Sequence, residues 1–443
     1  MYPWHKTLDS WADSTGLRID ALGLVTLLGA EEMDRCIGRL VTSRYFDYLP
    51  LLGAYTVAGN RITEKKTGYA LYNISAGITT WELAGWFSRW LQAQHFHKVR
   101  SKVTWELVDQ PRRWKIFFCK LLVSLPLHGV LVAMTILAED WWGFANVVSM
   151  IISVVVRVAQ VTENQAGIDA NIRAAEKEAE ANWAKYEKAK AEFEELHRQG
   201  KVSSEIKMPA RPRDRDHVKA IVVTQDSKVV TIDAPGLLIQ SAFTSNPHIP
   251  NPAFYLSCRI VGWIAFAVHV ISIGMSALHT QIYSVVLIIG ATVLTAYRVG
   301  CQDSKLRRTI WNKLLGVDNE EDIEWSCWVT SRLKGTVSAY PAEYTKWDEV
   351  PKEEVFPKTQ ESTEKPYTWP WSRENTLTDL EHSAPVRKPP VIRERRQDLY
   401  AWLDLTEEED ERLVAWGLIP HSQEWKDVYL DKKEKHRNRI RHR

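Results

Sequence analysis

Two histidines sit where a polar ring is costly. His128 falls inside the apolar run 116–137 and His269 inside the run 260–278. An ionisable side chain near the midplane of a bilayer faces a bundle interior or a wet cavity, and it commonly marks a proton, metal or substrate path. Imidazole is the least expensive ionisable choice there, because its proton leaves near neutral pH. His128, His269 and Asn146, with Ser149 and Ser153 as polar neighbours, are therefore the candidate midplane site. The competing reading is structural: interhelical hydrogen bonds that fix helix rotation. Pro126, two residues before His128, loosens its helix and frees carbonyls, which keeps the functional reading open.

Four further cations, Lys120, Arg157, Arg259 and Arg298, stand near the ends of apolar runs. Their stems can lie along hydrocarbon while the charge reaches phosphate, so they are expected to be lipid-facing anchors at the cytosolic edge. A basic ring around a pore entrance is the sharper alternative. No catalytic signature accompanies them. The chain has no Gly-rich phosphate loop, no HExxH, no GxSxG and no dinucleotide fingerprint. His95 and His97 are two apart and would not share a helix face, and the five cysteines contain no CxxC pair. Neither a catalytic set, a metal site nor a cofactor is expected.

The elements that must position these residues are four apolar segments. About 20 mostly apolar residues cross ~30 Å of hydrocarbon. Residues 116–137 meet that length and, after the acidic turn "AEDWW", residues 143–158 return. Residues 260–278 and 282–299 form a second pair joined by "HTQ". Basic residues cluster before the first span (Lys98, Arg100, Lys102, Arg112, Arg113, Lys115) and after the fourth (Lys305, Arg307, Arg308, Lys313), whereas both tips lack Lys and Arg. This predicts cytosolic termini and a cytosolic middle loop in the plasma membrane or an endomembrane. The sequon at Asn73 should then carry no glycan. The hairpins also resemble each other. Each opens with a Cys followed by a cation ("FFCKLLV", "YLSCRIV"), carries one central histidine and closes on Arg-Val with a Gln soon after ("RVAQ", "RVGCQ"). Both start from the same side, so the expected relation is a parallel internal repeat.

The resulting expectation is a mainly α membrane protein of four transmembrane helices as two parallel-repeat hairpins, with a long cytosolic helix, small β-hairpin elements and a partly disordered C-terminal tail. Residues 1–115 form an N-terminal cytosolic region in which 79–99, rich in Trp and Phe at helical spacing, reads as an interfacial helix or a helix docked on the span bundle. The first hairpin covers 116–161. Residues 162–255 hold a cytosolic helix over 162–200, with an a/d seam from Ile168 and Ile172 onwards, and a β-hairpin over 218–233. The second hairpin covers 256–300. Residues 301–443 form a Trp-rich tail that is Pro- and Glu-dense and disordered over 340–396, then carries a capping box at Thr406/Glu409 and a basic end at 432–443.

Partners follow from the same features. The bilayer is the first, with anionic lipid contact by the basic end, where seven Lys/Arg meet one acid. Helix 162–200 either binds a second copy or a partner protein through its seam, or packs as a solvated, salt-bridged helix on a neighbour in the same chain. Lys and Arg number 57 against 55 Asp and Glu, so no net field argues for nucleic acid. The stretches "RVGCQD", "GYALYNISAG" and "AWLDLTEEEDERLVAWGLIPHSQEW" resemble the multi-pass integral membrane proteins of filamentous fungi, a group to which no activity is assigned and which therefore implies no catalytic residue. The function expected is a membrane scaffold or interaction protein without enzymatic activity. The alternative is a small oligomeric ion, proton or metal transporter or channel using His128 and His269, and a membrane-embedded enzyme ranks third.

Overall fold

The computed structural model describes residues 10, 30–51, 61–109, 114–198, 208–304, 324–340 and 395–441. The expectation placed on the 340–396 tail, and that on the last two residues of the basic end, lie largely outside these.

Among the described residues, four helices are long and apolar enough to cross a membrane. α3 (Trp114–Leu137) and α4 (Trp141–Arg198) form the first hairpin, and α5 (Pro252–Met275) and α6 (Leu278–Ala296) the second. Their outward faces are bare hydrocarbon, including Leu122, Leu125, Ile264 and Ile271. α3, α4 and α6 meet in a small cluster of Leu131, Val147, Met150 and Ile288. α5 packs along α4, and α3 packs on α4 and α6. One carboxylate pins the two tips together. Asp140 Oδ1 accepts from the Gly143 amide at 2.8 Å, at the start of α4, and Oδ2 from the Ala277 amide at 3.0 Å, just before α6.

The larger finding is a seven-stranded mixed sheet, ordered β2-β1-β4-β5-β3-β7-β6. Its strands are β1 (Ala70–Asn73), β2 (Ile78–Thr80), β3 (Ser101–Leu107), β4 (His217–Val223), β5 (Val229–Pro235), β6 (Trp325–Trp328) and β7 (Leu333–Ala339). The expected hairpin at 218–233 is present as β4 and β5. It does not stand alone, because a lone hairpin is marginal: β1 adds to one side and β3, in parallel, to the other. The sheet therefore draws on all three soluble stretches, before, between and after the apolar hairpins.

Period-two alternation gives the sheet two apolar faces. Val218, Ala220, Val222, Val230, Ile232 and Ala234 point one way, and Ile221 and Val229 the other. The first face receives α2 (Gly85–Ala93), the π-helical turn Ile239–Thr244, and the part of α4 holding Ile168 and Ile172. The second face receives α7 (Arg396–Leu403), α8 (Glu407–Ala415) and α9 (Gln423–Arg441), through Leu399, Leu405 and Leu413. The Thr406/Glu409 capping box expected at the start of α8 is formed.

Two expectations are revised by this packing. The 79–99 segment is not an interfacial helix. Trp86, Phe87 and Trp90 of α2 are wholly buried against Trp105 and Phe243, at ring separations down to 4.5 Å for Phe87–Phe243 and 4.8 Å for Trp90–Trp105. A Trp/Phe stripe suits a sheet face as well as it suits lipid, and Arg89 on the same helix is itself buried, held by Asp34 at 3.0 and 3.1 Å. The seam beginning at Ile168 and Ile172 packs on the sheet of its own chain, the second of the two readings its sequence allowed. The soluble regions are not consecutive domains, because strands distant in sequence close one core.

Candidate functional site

The segment 40–51 follows α1 (Ala30–Gly38) and forms a collar around the ends of the apolar helices that face the sheet. Leu40 takes a left-handed conformation (φ 59°), which turns the chain off α1. Gln165 of α4 then ties the Leu40 carbonyl (2.8 Å) to the Val329 carbonyl (2.9 Å) before β7. Ser124 of α3 donates to the Tyr48 carbonyl at 2.7 Å. The Arg44 amide bonds the Gly300 carbonyl at 3.0 Å. Gly300 has φ 78°, and a Cβ there would lie 2.9 Å from both Ser43 Oγ and the Tyr45 ring, so two constraints select glycine at this crossing.

The collar gathers charges that the sequence scatters. Arg39 and Asp303 form an ion pair with side chains 2% and 0% exposed. Arg39 also donates to the Cys36 carbonyl at 3.1 Å and to Cys301 Sγ at 3.1 Å, and Gln94 donates to Asp303 Oδ2 at 3.0 Å. Burial by itself would raise the Asp303 carboxyl; the Arg39 charge, the Gln94 amide and the nearby Arg298 outweigh it and hold Asp303 below the usual carboxylate range. Burial pushes the Cys36 and Cys327 thiols up to about 12, so both stay protonated at neutral pH and are inert.

Three of the four expected lipid-facing anchors turn inward at this collar. Lys120 pairs with Asp47 at 2.6 Å. Arg157 is 5% exposed and donates Nη2 to the carbonyls of Asp47 and Leu49, the latter at 2.8 Å. Arg298 donates to the Ala93 carbonyl and to His95 Nε2 at 3.2 Å. Arg259 alone keeps an edge position, over the Trp263 ring at 5.5 Å. The reason is geometric: a collar of unpaired carbonyls offers guanidinium donors a closer partner than lipid phosphate does. A guanidinium can satisfy several carbonyls at once.

The candidate midplane residues are not brought into one constellation. His128 on α3 bonds back to its own helix, Nδ1 lying 2.9 Å from the Ser124 carbonyl and 3.1 Å from Ser124 Oγ. Asn146 on α4 donates to Ser284 Oγ of α6 at 3.0 Å, and Ser149 bonds the Asn146 carbonyl at 2.7 Å. His269 sits half-buried on α5. Among the described residues no hydrogen bond joins His269 to either of the others, and Nε2 of His128, Oδ1 of Asn146 and Nδ1 of His269 have no partner.

Part of the basic end is engaged within the chain. Lys432 pairs with Asp398 and Lys433 with Asp410, both at 2.6 Å, and Arg437 with Asp404 at 2.7 Å. These acids lie in α7, in α8 and in the turn between them. Three of the seven cations at the basic end thus tie α9 to α7, to α8 and to the turn between them.

Two contiguous cavities open at the collar. One of 260 Å³ is lined by Arg39, Phe46, Asp47, Lys120, Arg157 and Cys301, among others. The second, of 400 Å³, continues it past Arg44, Phe117 and Ser331. Val41, Thr42, Ser43, Tyr48, Lys120 and Gln165 line both. Among the described residues no group of three His, Cys, Asp or Glu could hold a metal ion. Sequence reasoning noted Lys120 and Arg157 but missed Arg39 and Asp47, which lie in a stretch with neither apolar periodicity nor a motif. Asp303 was visible within "RVGCQD", and its spacing from Arg298 was its only signal. No family model matches the chain, and no curated protein or solved structure matches it either.

Proposed function

We propose that the chain is an integral membrane scaffold without enzymatic activity, presenting a folded cytosolic platform clasped to four spans. The observation that carries this reading is the shared sheet. Strands from before, between and after the hairpins hydrogen-bond to one another, so each hairpin must leave the membrane on the side it entered. The basic residues flanking the spans make that side cytosolic. The collar holds platform and spans as one body: Arg157, Arg298, Gln165 and Ser124 each bind backbone carbonyls of another element.

Two surfaces on the platform suit partner proteins. The three-residue edge strand β2 exposes Ile78 (60%) with Trp81 (67%) just beyond it, beside Tyr72 and Trp416. An open edge of this kind is a pairing site unless it is covered. The last turns of α4, beyond Trp183, stand largely exposed and offer a second copy or a partner a helical face. The relation between the hairpins as a parallel repeat remains part of the proposal. The two copies have diverged in use, since one return helix runs on for 58 residues while the other ends after 19.

A transporter is the second reading, favoured by the unpartnered atoms of His128, Asn146 and His269 within the spans. Proteoliposomes decide between the two. Wild-type protein should conduct protons, monovalent ions and divalent metals no faster than empty liposomes. Flux in the wild type that disappears in His128→Ala/His269→Ala would refute the scaffold reading.

A further inference from the structure

We infer that the collar cleft is a binding site for the phosphate of an anionic glycerophospholipid, held by Arg157 and Lys120. This goes beyond the scaffold reading and does not depend on it. The first observation is a charge imbalance. Arg39 is neutralised by Asp303 and Lys120 by Asp47. Arg157, just as deeply buried, has no carboxylate within ion-pair distance among the described residues, and its Nη1 has no hydrogen-bond partner. A guanidinium removed from water needs an anion or a full set of acceptors. Two carbonyls on Nη2 leave Nη1 without an acceptor, and Arg157 lines the cavity.

Depth supplies the second observation. At a rise of about 1.5 Å per residue, Lys120 stands roughly 26 Å from the tip end of α3 and Arg157 roughly 24 Å from the tip end of α4. Across about 30 Å of hydrocarbon, both cations then sit within a few Å of the headgroup layer on the platform side. The third observation is access. Phe117 lines the outer cavity and is also 42% exposed on the bare flank of α3, so the cleft and the lipid phase share a wall. The inner cavity has an apolar side formed by Ile37, Leu40, Leu51 and Val161, which suits a ligand with a hydrocarbon part.

These features select one ligand chemistry. Phosphate oxygens accept from a guanidinium fork and from an ammonium together. With Arg39 neutralised by Asp303, the lining cations Arg44, Lys120 and Arg157 face a single lining acid, Asp47, which disfavours a headgroup that brings its own cation. In the bound state the phosphate takes the free Nη1 of Arg157 and shares Lys120 with Asp47. The collar then closes over the headgroup while the acyl chains follow α3.

The test uses the full chain in detergent with short-chain dioctanoyl lipids, read as a melting-temperature shift and as binding in titration. Dioctanoyl phosphatidic acid or phosphatidylglycerol should raise the melting temperature, whereas inorganic phosphate at equal concentration and dioctanoyl phosphatidylcholine should not. Lys120→Gln and Arg157→Gln should each weaken the anionic lipid at least tenfold. Because Arg157 also holds the collar, Thr42→Trp is the control for folding. Thr42 is exposed and lines both cavities, so the indole blocks the cleft without removing a charge, and binding should fall equally. Equal response to inorganic phosphate would assign the site to the free anion, and equal response to phosphatidylcholine would remove the charge argument. Unchanged lipid affinity in Lys120→Gln and Thr42→Trp would overturn the site.

Discussion

Asp303→Asn is expected to cost about 3–5 kcal/mol of unfolding free energy, the usual penalty for leaving a buried charge without its partner. The substitution strands Arg39, whose side chain is 2% exposed and whose remaining partners are the Cys36 carbonyl and the Cys301 sulfur. Neither carries the full charge that burial requires. Arg39→Met should cost a similar amount for the reciprocal reason, leaving the carboxylate with Gln94 and, at 4.0 Å, Arg298. The double variant Arg39→Met/Asp303→Leu should lose much less than the sum, because replacing both charges by apolar groups removes the desolvation cost as well.

Acid should act on the same pair. The folded Asp303 carboxyl is held below its usual value, so its contribution is fully present above the unfolded pKa, about 3.9, and fades as pH falls through the lower folded value. Wild-type stability should therefore drop between about pH 4 and lower pH, with Asp303→Asn giving a flatter profile over that window. Denaturant unfolding in detergent across pH reads both effects. Equal slopes in the two proteins would show that the pair makes no contribution.

Trp105→Ala should be the most damaging single apolar truncation in the platform, at roughly 3–5 kcal/mol. Trp105 lies on β3, the strand that joins the parallel β5 to the antiparallel β7, and it is wholly buried. Its ring meets Trp90 at 4.8 Å and Phe243 at 5.3 Å, and Trp86 edge-on at 6.0 Å. Beneath it lies its register partner Gly335, where an added Cβ would come within 2.8 Å of the indole. The large ring and the missing side chain form one packing unit, so alanine leaves a cavity that rigid strands cannot close. Trp105→Phe should lose less than half as much. A melting-temperature series over the three proteins checks the order, and an alanine variant as stable as wild type would remove this cluster from the core.

The spans were legible because hydrocarbon length is a one-dimensional property: a run of 20 apolar residues needs no partner to be recognised. The β4–β5 hairpin was legible for a similar local reason, alternation around a polar turn. Most of the sheet was not, because β3, β4–β5 and β6–β7 are separated in sequence by whole apolar hairpins and no local pattern reports their pairing. Composition misled where two environments favour the same residues. Trp86 and Trp90 would suit a membrane interface, and only burial against Trp105 separates that from a core. Charge misled in the opposite sense. Arg157 and Lys432 looked like surface cations because their partners, a collar carbonyl and Asp398, lie far along the chain. The midplane candidates His128 and His269 were recognisable as unusual, but residue type could not reveal that they lie in separate surroundings.

The account rests most heavily on one platform lying on one side of the membrane. Cysteines introduced singly at Lys66, Asp226 and Asp431, in a background lacking Cys119 and Cys258, report each of its three contributing segments, and Glu139→Cys reports the tip of the first hairpin. In sealed, oriented vesicles an impermeant maleimide should label the first three from the cytosolic face and Glu139→Cys only from the opposite face. Labelling of any two platform positions from opposite faces would contradict the account.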